Sequence, residues 1–108
     1  MLIKSRGYNV PEVAISTALT SGTKTKIGSV EEHDKLLAIV KKSGVCRGHF
    51  ELGGQEMDGT AMVNFEVDGT GMEFNIITNH DDTPVMVSLW VVQEDDGCYC
   101  TPSIISLS

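Results

Sequence analysis

The stretch VMVSLWVVQ, residues 85–93, constrains the fold most strongly, because as a strand it would be apolar on both sides. Side chains alternate between the two faces of a strand. One face would carry Val85, Val87, Leu89 and Val91, and the other Met86, Trp90 and Val92. A strand of this kind is covered on both sides. The rest of the chain, or another copy of it, must therefore supply two layers of cover.

One helix is predicted ahead of this strand. Ser29 and Glu32 have the spacing of a capping box, and Gly44 stands where a C-terminal cap belongs. Lys41 and Lys42 in the last turn suit the negative end of a helix. We expect a helix from about residue 30 to 43. A single helix covers only one face of a sheet, so Met86, Trp90 and Val92 need another cover, which is either the N-terminal arm or another subunit. We expect a second subunit and therefore predict that the three residues form an oligomer interface.

After Gly44 the apolar residues recur with a period of two, which is typical of strands. Strands are predicted at residues 45–52, 61–67, 72–78 and 85–93, and Pro102 argues for an edge or a break in a last one. The echo of Asp58-Gly59-Thr60 in Asp68-Gly69-Thr70 could mark calcium-binding repeats, but each unit offers a single Asp, and a hairpin explains the second unit. The fold class is α+β: an extended N-terminal arm at 1–28, then one domain at 29–108 with the helix and a four- to five-stranded antiparallel meander.

Charge is unevenly distributed along the 108 residues. Residues 1–28 hold four basic residues and one acidic residue, whereas residues 29–108 hold four basic and fourteen acidic ones. The basic residues form no dense patch, so nucleic acid is not the expected partner. We expect the arm to anchor on an acidic protein surface, including that of a neighbouring copy. The predicted anchoring residues are Lys4, Arg6, Tyr8, Val10, Val13 and Ile15.

No motif for catalysis, a metal or a cofactor is recognisable in the sequence. Cys46, Cys98 and Cys100 are odd in number and lack zinc-ribbon spacing, so free thiols are predicted. No apolar run approaches the length of a membrane-spanning helix, and the first residues lack the apolar core of a secretory signal. The sequence therefore predicts a non-enzymatic protein without metal or cofactor that is made in, and by default stays in, the cytoplasm.

In its organisation the chain resembles the small accessory proteins of tailed bacteriophage particles, such as head-fibre, decoration and fibre-tip proteins. The matching features are the arm MLIKSRGYNVPEVAISTALTSGTKTKIG, the helix SVEEHDKLLAIVKKSG and the meander from Val45 to Ser108. The resemblance implies a structural role in a virion, an N-terminal attachment segment and assembly, often as a trimer. It lacks the collagen-like or coiled-coil shaft of many such fibres.

Two hypotheses of function follow. The leading one is a structural protein that forms a homo-oligomer, with a trimer favoured, anchored by residues 1–28. The alternative is a monomeric inhibitor or adaptor that places an acidic face on a basic site of a partner protein. That face would consist of Asp81, Asp82, Asp95 and Asp96.

Overall fold

The computed structural model describes residues 3–4, 11–19, 22–65, 71–80 and 82–107. These residues form one helix and a single curled sheet. In chain order the elements are β1 (Ile3–Lys4), β2 (Glu12–Leu19), β3 (Thr25–Gly28), α1 (Val30–Ser43), β4 (Val45–Leu52), β5 (Gln55–Phe65), β6 (Met72–His80), β7 (Thr83–Glu94) and β8 (Gly97–Ser106). The strand order across the sheet is β1-β2-β4-β5-β6-β7-β8-β3.

The predicted α+β class with one helix is confirmed, but the predicted sheet is too simple. Strands β4 to β8 do form an antiparallel meander, each pairing with the next. The sheet is nevertheless mixed, because β2 pairs with β4 in parallel. Parallel neighbours need a long crossover connection. Here the crossover from β2 to β4 is the segment that contains β3 and α1, and the helix packs on one face of the sheet.

The additional strands come from the region predicted to be an extended arm. In β2, Val13 and Ile15 are fully buried. Strand β3 falls in the segment that reads as linker, and it pairs antiparallel with β8. The residues of β3 give no strand pattern in the sequence, because the strand has no row of apolar side chains. Backbone hydrogen bonding to β8 at the sheet edge holds it in the sheet.

Helix α1 begins and ends as predicted. The Ser29 hydroxyl accepts a hydrogen bond from the Glu32 backbone N–H at 3.1 Å, and the Glu32 carboxylate accepts one from the Ser29 backbone N–H at 3.1 Å. Gly44 adopts a φ of 67°, and its N–H donates to the Val40 carbonyl at 2.9 Å. A left-handed residue of this kind is the usual end of a helix and favours glycine. Both caps are therefore local consequences of the sequence.

The core lies between α1 and the concave face of the sheet. Helix residues His33, Leu36 and Val40 are buried, and α1 contacts β4, β7 and β8. Strand β2 lies near one edge of the sheet and β3 forms the other edge. The two strands nevertheless contact each other, so the sheet curls around the core. The buried sheet residues alternate along each strand and include Phe50, Met57, Val63, Phe74, Ile76, Val87, Leu89, Val91 and Cys100.

Strand β5 begins at Gln55, six residues before the predicted start at residue 61. A tight turn at Gly53 and Gly54, with φ of 59° and 82°, joins it to β4. Two successive positive φ values are typical of the two-residue hairpin turn that matches sheet twist. The first Asp-Gly-Thr unit therefore lies inside β5, paired with β4. The pairing of β5 with β6 confirms the predicted hairpin, whose turn at 68–71 lies mostly outside the described residues.

Strand β8 runs through Pro102 without a break. Pro102 faces Leu89 of β7, and β3 pairs with β8 only up to Cys100. On the side away from β7 the Pro102 carbonyl accepts a hydrogen bond from the Gly22 N–H at 2.7 Å. The missing N–H of proline is tolerated there because the β3–β8 pairing ends before this position. The predicted break is therefore wrong, while the edge character of the position is real on its β3 side.

Candidate functional site

The candidate site is the surface of β6, β7 and β8 that faces away from α1, called here the outer face. The strand register arranges its side chains in rows that cross the three strands. From one end to the other the rows are Ile77–Met86–Ile105, Asn75–Ser88–Ser103, Glu73–Trp90–Thr101 and Val92–Tyr99. Directly opposed side chains in neighbouring strands lie about 5 Å apart, so each row is a contiguous strip.

The first strip, called the apolar row, consists of Ile77, Met86 and Ile105. Ile77 is 72% exposed and Ile105 is 46% exposed, while Met86 between them is half-buried. Leu107, 49% exposed, extends this apolar end, and its N–H donates to the carbonyl of Pro84 at 3.0 Å. Large aliphatic side chains aligned in this way on adjacent strands form an exposed patch, which distinguishes them from isolated surface leucines or isoleucines.

The next row is polar and separates the predicted interface residues. The Ser88 hydroxyl donates to the Asn75 side-chain oxygen at 2.6 Å, and the Asn75 amide donates to the Glu73 carboxylate at 2.9 Å. Met86, Trp90 and Val92 do share the outer face and are all half-buried. Met86, however, belongs to the apolar row, while Trp90 lies beyond the polar row.

Trp90 and Val92 lie beside a cluster of charges at the other end of the face. Val92 is paired with Tyr99, whose hydroxyl donates to Asp96 at 2.8 Å. That hydrogen bond, together with the nearby carboxylates, raises the pKa of Tyr99. Lys24 forms an ion pair with Glu94 and lies 5.4 Å from the centre of the Tyr99 ring. These contacts hold Lys24, the residue before β3, against the β7–β8 hairpin.

Sequence reasoning missed Ile77 and Ile105 as surface residues. Ile77 was included in a predicted strand whose inward residues were Met72, Phe74 and Ile76, and the same alternation places Ile77 outside. The period of two therefore indicates that Ile77 faces outward, but Ile76 beside it is also apolar, so the alternation is not obvious at this point. Their alignment with Met86 depends on the register between strands, which one strand's sequence does not contain.

The predicted anchoring residues divide between two locations. Val13 and Ile15 are fully buried core residues of the same chain, in β2 beside β4. Lys4 belongs to β1, where its backbone is opposite Glu12. Arg6, Tyr8 and Val10 lie outside the described residues.

The predicted acidic residues are not brought together. Asp82, with a φ of 63°, is in the turn between β6 and β7, whereas Asp95 and Asp96 form the turn between β7 and β8. The 12 residues of β7 separate these turns, and at a rise of about 3.4 Å per residue a strand of that length extends over most of the 36 Å longest dimension of the molecule. Asp81 lies outside the described residues. The described aspartates therefore occupy opposite ends of the molecule and form no common face.

The three cysteines are free and buried, as predicted. Burial raises the pKa of Cys46 to about 12 and that of Cys100 to about 12, and burial with the nearby Glu32 carboxylate raises that of Cys98 to about 11. Such thiols are poor nucleophiles at neutral pH. Among the described residues, no three His, Cys, Asp or Glu side chains are close enough together to hold a metal ion.

Comparisons with known proteins find no significant similarity to a family model, a curated protein or a solved structure. Within the part of the chain that the structure describes, the one helix is too short and too polar to cross a membrane.

Proposed function

We propose that this protein is a non-enzymatic structural protein that associates with further copies of itself through the outer face of its sheet. The observation that carries the proposal is the apolar row, in which Ile77, 72% exposed, and Ile105, 46% exposed, flank Met86. Removal of apolar surface from water stabilises a complex by about 25 cal/mol per Å². The outer face of a second copy presents the same apolar row, so self-association requires no other protein.

The size of the face sets the expected strength of association. Three strands about 4.8 Å apart, with nine residues rising about 3.4 Å each, span roughly 450 Å². Because the sheet curls and this side is convex, a contact buries at most that area per copy. Stable complexes bury about 800 Å² per partner, and weak ones bury less. We therefore expect weak association that depends on protein concentration. Attachment of two copies side by side to a common particle would raise their effective concentration and so favour this contact.

A virion surface holds many copies of a protein close together. The accessory role in a bacteriophage particle remains part of the proposal, supported by the organisation of the chain and by a weak contact that such proximity would strengthen. The proposed attachment of the N-terminal segment relies on its basic residues Lys4 and Arg6. Val13 and Ile15 are not available for it, because the core requires them.

Charge introduced into the outer face tests the proposal. Trp90→Glu and Met86→Glu should each lower the solution mass of the assembly, measured by light scattering during size-exclusion chromatography, because an interface would bury an unpaired carboxylate. Far-ultraviolet circular dichroism should stay unchanged. Ala38→Glu is the matched control: it adds the same charge on the exposed side of α1 and should leave the mass as it is. Unchanged masses for all three variants would contradict the proposal.

A further inference from the structure

We infer that two copies meet through the outer face by a two-fold axis that runs parallel to β7, so that β6 of one copy lies on β8 of the other. The inference rests on the proposed self-association and specifies its geometry. It follows from the position of β7, which has β6 on one side and β8 on the other along the whole length of the face.

Rotation about such an axis keeps each row at its own height along the strands and exchanges its two ends. The apolar row then meets the apolar row of the second copy. Met86 lies on Met86, and Ile77 of each copy lies on Ile105 of the other. Both isoleucines, exposed in one chain, become covered by apolar side chains.

The other rows are compatible with the same axis. Ser88 meets Ser88 of the second copy, and Asn75 meets Ser103, so hydroxyl and amide groups face each other. Glu73 faces Thr101 of the second copy, which avoids a contact between two like charges. Trp90 and Val92 of both copies meet near the axis, so all three predicted interface residues are covered at once.

An axis perpendicular to the strands does less well in either of its two positions. Centred on the polar row, it places Ile77 opposite Glu73, which would bury an apolar side chain against a carboxylate. Centred on the apolar row, it places each residue of that row on itself but moves Trp90 beyond the contact. Both kinds of axis keep the strand lines of the two sheets aligned, as packed sheets prefer, so the match between rows is what favours the parallel axis.

Cross-linking of single introduced cysteines distinguishes these arrangements. The native cysteines are buried, so a short bis-maleimide should link only introduced thiols, and the native chain is the control for this. Met86→Cys should form covalent dimers by itself. Ile77→Cys and Ile105→Cys should each form few dimers alone and several-fold more when the two variants are mixed. Ala38→Cys, on the exposed side of α1, should form none.

The two variants for mixing carry tags of different length, so that a mixed dimer has its own mobility on a denaturing gel. Efficient cross-linking of Ile77→Cys to itself, with no gain on mixing, would overturn the parallel axis and support a perpendicular one. A cyclic trimer in solution would also overturn the two-fold axis while leaving self-association intact. A monomeric mass at every concentration, with no cross-linking, would overturn the proposed function itself.

Discussion

At the scale of single residues, Gly48 shows how closely the core is fitted. It lies on the buried face of β4, two residues before Phe50, and an added Cβ would come within 2.4 Å of the Phe50 ring. Phe50 in turn meets the Phe74 ring edge-on, with 6.3 Å between ring centres. Gly48 therefore leaves room for the Phe50 ring of β4, which packs against the Phe74 ring of β6. The alternation of residues 45–52 predicts the buried face, but the sequence does not predict the orientation of the ring.

Gly48→Ala should lower the free energy of unfolding by about 1–3 kcal/mol, because a methyl group in a filled core forces its neighbours to shift. Urea denaturation measures the change. Gly59→Ala is the control, since its Cβ would meet only the flexible end of Ile76 at 3.0 Å, and it should cost less. Equal losses for both variants would contradict this account of Gly48.

The buried thiols predict a loss of stability in alkaline solution. A raised pKa in the folded chain means that the unfolded chain releases its thiol protons first as the pH increases. The stabilising effect is complete below about pH 9, the ordinary thiol value, and is lost as the pH rises towards the folded values of about 11 and 12. The urea midpoint should therefore fall between pH 8.5 and about 10.5. Cys46→Ala should weaken this dependence, and an identical slope in the variant would count against it.

At the scale of elements, local patterns predicted what local interactions determine. Helix α1, its two caps and the five strands of the meander follow from capping residues and from the period of two. Strands β2 and β3 do not, because they are held by pairing with β4 and β8, which are distant in sequence. The parallel pairing of β2 with β4 depends on the path of the crossover that contains α1. The residues of β2 alone do not predict this pairing.

The status of β2 as a core strand can be tested by truncating one side chain. Ile15→Ala should lower the free energy of unfolding by about 2–5 kcal/mol, the usual cost of a cavity in a packed core. Ile77→Ala makes the same chemical change at an exposed position and should cost less than about 0.5 kcal/mol at a protein concentration low enough to keep the chains apart. If Ile15→Ala left the stability unaltered, β2 would not be packed in the core of the folded chain.

At the scale of the whole molecule, the one helix of the described residues packs on one side of the sheet and not on the outer face. The sequence predicted this need for cover from Met86, Trp90 and Val92 alone, since a strand apolar on both faces can be recognised in isolation. It did not predict the apolar row, which requires the register of β6 and β8 against β7. The predicted strand at 85–93 already separates Asp82 from Asp95 and Asp96, so the proposed common acidic face was inconsistent with that prediction.

The measurement that tests the central claim most directly is the mass of the native chain by sedimentation equilibrium, over protein concentrations from about 1 µM to about 1 mM. Self-association through the outer face predicts a mass that rises with concentration from 11.7 kDa towards at least twice that value. It should rise at high salt as well, because the contact is mainly apolar and the net charge of −7 opposes association at low salt. A mass that stays at 11.7 kDa throughout would contradict the account.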